Sequence, residues 1–342
     1  MSGAQRDKVS LALQGGGAHG AFTWGVLDRL LEEDRFEIAA ISGTSAGALN
    51  GAALKAGMVQ GGADEARRVL RQVWEAVAAI GDFRSMPWVQ PFVPGYRFWQ
   101  QAAESLLPFN PAGLMTQLWS PYSAGVDTAN PLEPVINLID FDAVAAAQGP
   151  RLYIGATNVR SGKVRLFRGT EVTPLAVMAS ACLPTAFRAV EIEGEAYWDG
   201  GFSGNPSLWP LFHAELPDDI VVVQVNPLRR EVLPETPLDI QNRVNEIGFN
   251  APLMGELRAI AFVHRLIEQG RIEEGQMKDV RIHLIADDAL MNELSGSSKL
   301  QPTGELIEKM YQAGRARGAD FLTRAKGGIA ATPPVDLRGM LT

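Results

Sequence analysis

Twice near the start of the chain, a short apolar run ends in a cluster of glycines and passes directly into a helical pattern. Val9 to Leu13 leads into Gly15-Gly16-Gly17-Ala18-His19-Gly20. Phe22, Val26, Leu27, Leu30 and Leu31 then recur at helical spacing. Ile38 to Ile41 leads into Ser42-Gly43-Thr44-Ser45-Ala46-Gly47, followed by a small-residue helical stretch to about Lys55. A strand, a glycine turn and a helix, repeated, predict an α/β fold around a sheet.

The rest of the chain extends that reading. Asp64 to Ile80 predicts a helix, Leu152 to Thr157 and Val164 to Phe167 two strands, and Leu175 to Ala181 a small-residue helix. Ala189 to Ile192 and Ala196 to Trp198 flank a Glu193-Gly194 turn, and the β-branched run Ile220 to Val225 predicts a central parallel strand. Residues 238–277 read as one or two amphipathic helices, Arg281 to Ile285 as a last strand and Glu305 to Thr323 as a terminal helix. Residues 83–122 differ, with nine of the chain's 26 aromatics and six prolines, and predict an irregular flap.

Composition narrows the function classes. With 342 residues and 46% apolar content, the chain can bury a full core without disulfides or metals. A net charge of −8 argues against general nucleic-acid binding and disfavours simple electrostatic adhesion to anionic membranes. The lone cysteine, Cys182, permits no intrachain disulfide and reads as a small buried hydrophobe. The N-terminal apolar stretch is too short for a signal peptide and no 18-residue apolar run occurs, so a cytoplasmic location is expected.

The first glycine cluster literally fits G-x-G-x-x-G between a strand and a helix. A dinucleotide site also wants an acidic residue at the end of the second strand, where this chain has Gly43-Thr44-Ser45. Two other readings stand beside it: an oxyanion hole, whose amides glycine leaves unobstructed at a helix N-terminus, and a tight turn that needs glycine only for packing. Gly43-Thr44-Ser45-Ala46-Gly47 fits G-x-S-x-G, which places a serine hydroxyl on a sharp strand-to-helix turn. The Ala46 amide would then point toward the reaction centre. None of the four histidines, His19, His213, His264 and His283, has a recognisable catalytic setting. Asp199-Gly200-Gly201 offers a carboxylate at a strand end, either as a base for the serine or as an ordinary Asp-Gly turn.

In order along the chain, the GGGxxG loop, the GTSAG turn, Ala179-Ser180-x-x-x-Pro184 and Asp199-Gly200-Gly201 resemble the patatin-like phospholipase family. The resemblance spans roughly residues 8–226. It implies a three-layer α/β/α fold with a mostly parallel central sheet and an aromatic-rich insertion. It also implies a Ser-Asp dyad, with Ser45 as nucleophile and Asp199 as general base. The backbone of Gly15, Gly16, Gly17 and Ala18 would form the oxyanion hole, joined by Ala46, with Gly20, Gly43, Gly47, Gly200 and Gly201 as motif glycines. The implied activity is hydrolysis of lipid acyl esters, of phospholipase A or lysophospholipase type, without calcium, another metal or a cofactor.

The expected organisation is a catalytic core at 8–226 carrying the flap 83–122, a helical cap and closing strand at 227–325 packed on the core, and a mobile tail at 326–342. Within the flap, Trp88, Phe92, Phe98 and Trp99 are candidates for acyl binding or transient contact with a membrane surface. One departure bears on the substrate: many members carry arginine where this chain has His19, and arginine offers phosphate a fixed fork of donors. An intracellular carboxylesterase, thioesterase or polyester depolymerase is therefore a second reading, and a catalytically silent lipid-binding protein a third.

Overall fold

Two adjacent parallel strands, β1 (Asp7–Leu13) and β2 (Phe36–Thr44), form the centre of the sheet. The computed structural model describes residues 6–85, 121–122, 130–273, 275–294 and 296–341. The other strands are β3 (Arg151–Asn158), β4 (Val164–Arg168), β5 (Val190–Ile192), β6 (Glu195–Asp199), β7 (Asp219–Val223) and β8 (Arg281–Ile285). The order is β5-β6-β3-β2-β1-β7-β8, with β4 also paired to β3. β3, β2, β1, β7 and β8 run parallel, while β4, β5 and β6 pair antiparallel at one side. In the β5–β6 turn both Glu193 and Gly194 have positive φ, which glycine accepts readily.

Side-chain alternation sorts the strands into two buried faces. Leu11, Leu13, Ile41, Ile154, Val221 and Val223 enter a core with α1 (Gly20–Glu33), α2 (Ala46–Gly61) and α3 (Ala63–Ser85). Two short helices, α4 (Glu133–Ile136) and α5 (Phe141–Ala145), and α6 (Pro174–Ser180) join this layer. Ala12, Ala40, Tyr153, Ile220, Val222 and Ile282 face the other way, against Leu253, Leu257 and Ile260 of α7 (Pro237–Glu268). Helices thus cover a mostly parallel sheet on both sides, as the sequence predicted.

The C-terminal third shares this framework. β8 extends the sheet beside β7, and after α8 (Asp288–Glu293) the long α9 (Gly304–Arg324) lies along α1. Their backbones meet at glycines: a Cβ on Gly25 would overlap the Tyr311 carbonyl, and one on Gly314 the Phe22 carbonyl. Buried Asp28 ties the crossing together, accepting from Arg67 Nε at 2.9 Å, from the Tyr311 hydroxyl at 3.0 Å and from Arg315.

The segment after Lys326, expected to be mobile, is packed instead. Ile329 and Leu337 are buried, Val335 N–H donates to the Ile282 carbonyl at 2.8 Å, and a last helix, α10 (Leu337–Leu341), packs on α7. Its apolar residues meet open positions on both core layers. Of the expected flap 83–122, only 83–85 and 121–122 are described, and Trp88, Phe92, Phe98 and Trp99 lie outside the described residues. Among the described residues, no helix is long and apolar enough to cross a membrane, and no group of three or more His, Cys, Asp or Glu side chains could hold a metal ion.

Candidate active site

β1 and β2 are neighbours and parallel, so the loops leaving their C-terminal ends are side by side, where open α/β sheets hold their ligands. The glycine loop follows β1 and Ser45 follows β2. Ser45 has φ 55° and ψ −121°, a strained conformation for a residue with a Cβ. The flanking glycines make the turn sterically feasible. A Cβ on Gly43 would lie 2.5 Å from the Gly47 carbonyl oxygen, and one on Gly47 would overlap the Leu13 carbonyl. Ser45 N–H donates to Ser180 Oγ at 2.8 Å, and Ser180 Oγ donates to the Gly155 carbonyl at 2.6 Å. The half-buried Ser45 is thereby anchored to α6 and β3.

Asp199 ends β6 under comparable restraint. Its N–H donates to the Cys182 carbonyl at 2.8 Å, and its carbonyl accepts from Thr157 Oγ1 at 2.8 Å. Its carboxylate accepts from Gly201 N–H at 2.8 Å, and the Ser45 hydroxyl lies near enough to favour its charged form. Only 3% of Asp199 is exposed. Burial pushes its carboxyl up to about 6, against the opposing pull of the Gly201 amide and the Ser45 hydroxyl. The two following glycines are required by close neighbours: a Cβ on Gly200 would overlap the Gly155 carbonyl, and one on Gly201 the Phe249 ring of α7. Phe249 and Phe202, with ring centroids 4.9 Å apart, form an apolar wall beside the carboxylate.

The glycine loop approaches Ser45 closely, since a Cβ on Gly15 would lie 2.7 Å from Ser45 Cβ. The Gly15 amide, expected among the oxyanion donors, is instead directed to Asn205 Oδ1 at 2.7 Å. The Gly15 carbonyl accepts from Asn226 Nδ2 at 2.7 Å. The preceding Gln14 side chain accepts from the Val225 and Asn226 amides at 2.9 and 2.8 Å and donates to Asn250 Oδ1 at 2.9 Å. Gly17, at φ 58°, lies under the Lys299 carbonyl. Among the described residues, the amides of Gly16, Gly17, Ala18 and Ala46 are not tied to a protein acceptor. The first three follow the anchored Gly15, and the last begins the helix behind Ser45.

His19 is buried and paired through Nε2 with the Ser298 hydroxyl at 2.8 Å. Burial, with the nearby Lys299 ammonium, pushes it down to about 3, so it is neutral at physiological pH. The Lys299 ammonium is held by Asn226 Oδ1 at 2.7 Å and Glu246 at 3.4 Å. His264 donates to the Val280 carbonyl and His283 to Asp219 Oδ1, both at 2.8 Å. Burial pushes the Cys182 thiol up to about 11, and its Sγ donates to the Arg188 carbonyl at 3.0 Å, so it is a poor nucleophile.

Sequence reading singled out Ser45 and Asp199 as candidates but gave no sign of the residues that hold them in place. Ser180 lay within a motif, though its bond to the Ser45 amide had no sequence signature. Asn205, Asn226 and Gln14 carried no local signal at all. Leu253, Leu257 and Ile260 of α7 pack on the sheet.

A family model described as patatin-like phospholipase matches residues 11–212, more than half of the chain. Among curated proteins, none matches the sequence. Among solved structures, VipD from Legionella pneumophila is similar at 15% identity and a TM-score of 0.42, covering 94% of this chain and 67% of VipD. The type III effector protein ExoU, known also in complex with SpcU from Pseudomonas aeruginosa, is similar at 16% identity and a TM-score of 0.33. That alignment covers 93% of this chain and 53% of ExoU.

Proposed function

Because the chain belongs to the patatin-like phospholipase family, we propose that it is a serine hydrolase that cleaves lipid acyl esters through Ser45 and Asp199. The observation that carries this reading is the buried Asp199 carboxylate, pushed up to about 6 and lying near enough to the Ser45 hydroxyl for that hydroxyl to favour its charged form. A base with that affinity is ionised at neutral pH yet more basic than an ordinary carboxylate, as proton abstraction from a hydroxyl requires.

Ser45 Oγ attacks the ester carbonyl carbon as Asp199 takes its proton. The negative charge on the carbonyl oxygen is met by amides from the Gly16–Ala18 loop and Ala46, in the field of a helix N-terminus. The carbon–oxygen bond to the alcohol breaks, and Asp199 returns the proton to the leaving oxygen. Water then attacks the acyl-Ser45 ester with Asp199 again as base, releasing the carboxylic acid and restoring Ser45. No step requires a histidine. The wall of Phe202 and Phe249 beside Asp199 supports an apolar acyl group as the part of the substrate nearest the carboxylate.

A second reading has a specific observation behind it. The neutral, buried His19 offers no cation to a phosphate at the loop, and the neighbouring Lys299 ammonium is engaged by Glu246 and Asn226. This favours an acyl ester or thioester without a phosphate headgroup. Assays on p-nitrophenyl esters from acetyl to palmitoyl, and on phosphatidylcholine and lysophosphatidylcholine in mixed micelles, separate the two. Hydrolysis of both lipids that disappears in Ser45→Ala supports the phospholipase. Turnover of the simple esters alone supports the carboxylesterase, and turnover that survives in Ser45→Ala overturns both.

A further inference from the structure

We propose that Glu256 is a positioning residue that sets the glycine loop against Ser45 through the segment 204–209. The proposal rests on the reading of Ser45 and the glycine loop given above. The segment runs between two layers of the molecule and bonds to each.

On the catalytic side it makes three ties. Thr44 Oγ1 donates to the Gly204 carbonyl at 2.7 Å, Ser42 Oγ donates to the Ser207 carbonyl at 2.5 Å, and Gly15 N–H donates to Asn205 Oδ1 at 2.7 Å. Two of these reach β2, the strand that leads into Ser45, and the third reaches the glycine loop. On the other side, Glu256 Oε2 accepts from the amides of Leu208 and Trp209, both at 2.7 Å. These amides open the short turn Trp209–Phe212. The end of the same turn is held by the Lys278 ammonium, which donates to the carbonyls of Leu211, His213 and Leu216 at 3.1, 2.9 and 2.8 Å. A carboxylate at the amide end and an ammonium at the carbonyl end fix the turn, and with it the segment that carries Asn205.

The surroundings make Glu256 hard to replace. Its neighbours on α7, Leu253 and Leu257, are buried in the apolar layer with Leu208 and Leu211. Loss of the carboxylate would leave the amide of the fully buried Leu208 without its acceptor. Burial pushes the Glu256 carboxyl up to about 7. In either protonation state one oxygen remains to accept the two amides, so glutamine is a fair substitute and methionine, of similar length, is not.

The test compares wild type, Glu256→Met and Glu256→Gln as full-length proteins. It uses amide hydrogen exchange over residues 14–17 and 204–209, and steady-state kinetics on p-nitrophenyl butyrate. The expected result is exchange in both segments at least about tenfold faster in Glu256→Met. Its kcat falls about ten- to hundredfold with KM nearly unchanged, and Glu256→Gln restores both. Faster exchange confined to 204–209, with the glycine loop and kcat as in wild type, would reduce Glu256 to a cap on the turn and overturn the proposal. If wild type hydrolyses no ester, the hydrolase reading fails, while exchange at 14–17 still decides whether Glu256 holds the loop. If Glu256→Met does not fold, exchange of wild type in rising urea decides it. A shared opening free energy for the two segments supports the proposal, and independent opening overturns it.

Discussion

Asn205 holds the amide of Gly15 at 2.7 Å across 190 residues of chain, so the residue before the open amides of the glycine loop is fixed by a side chain from another loop. Replacing Asn205 with alanine leaves that amide, in a buried residue, without its acceptor. The expected outcome is a kcat lower by about ten- to hundredfold, because the donors are no longer preorganised. A stability loss of about 1–3 kcal/mol accompanies it from the orphaned amide. Steady-state kinetics with urea unfolding checks both.

Ser180 bonds the Ser45 amide at 2.8 Å, and Ser180→Ala removes that acceptor. A slower acylation rate with little change in KM is expected. Stopped-flow release of p-nitrophenol reads the rate. Equal rates in wild type and variant would mean that the strained backbone of Ser45 is held by the glycines alone.

Asp199 predicts opposite effects on activity and stability. As base it must be ionised, so the acylation rate falls as pH drops through about 6. Because the folded protein raises this carboxyl above its unfolded value, it holds the proton more tightly than the unfolded chain does. The stabilisation is complete at low pH and is lost as pH rises through about 6. Asp199→Asn is therefore expected to be inactive yet more stable than wild type at pH 8, by up to roughly 3 kcal/mol, with the gap closing toward pH 4. Thermal or urea unfolding across that range measures the gap.

Asp28 predicts the reverse dependence. Burial pushes its carboxyl up, but hydrogen bonds from Arg67 and Tyr311 and the charges of Arg67 and Arg315 outweigh this and hold it below the ordinary range. Its contribution is present above the unfolded value and lost as pH falls through the folded one. Asp28→Asn is expected to destabilise by roughly 3 kcal/mol at pH 7, with a smaller difference at pH 3. Urea titrations at the two pH values test this, and activity per folded molecule should not change.

What was legible in the sequence was local chemistry. Gly43, Gly47, Gly200 and Gly201 sit where another backbone or ring leaves no room for a Cβ, so their spacing announced the turns before the neighbours were known. Short apolar or β-branched runs located β1, β2, β3 and β7, because a strand buried on both faces is apolar along its length. What could not be read depends on chain crossings. Asn205 and Asn226 are single polar residues with no pattern of their own, and their role exists only because β7 and the segment after β6 return beside β1. Gly25 and Gly314 look like weak helix positions until α1 and α9 meet. The C-terminal segment read as a tail because its few apolar residues match gaps that other elements create.

The central claim is that Ser45, activated by Asp199, is the nucleophile. Its most direct test is to incubate the protein with a fluorophosphonate at pH 8 and locate the adduct by intact mass and peptide mapping, in wild type, Ser45→Ala and Asp199→Asn. The account predicts one adduct on Ser45 in wild type, none in Ser45→Ala, and labelling slowed by at least about a thousandfold in Asp199→Asn. A folded wild type that takes no label, an adduct on another residue, or equal labelling in Asp199→Asn would contradict it.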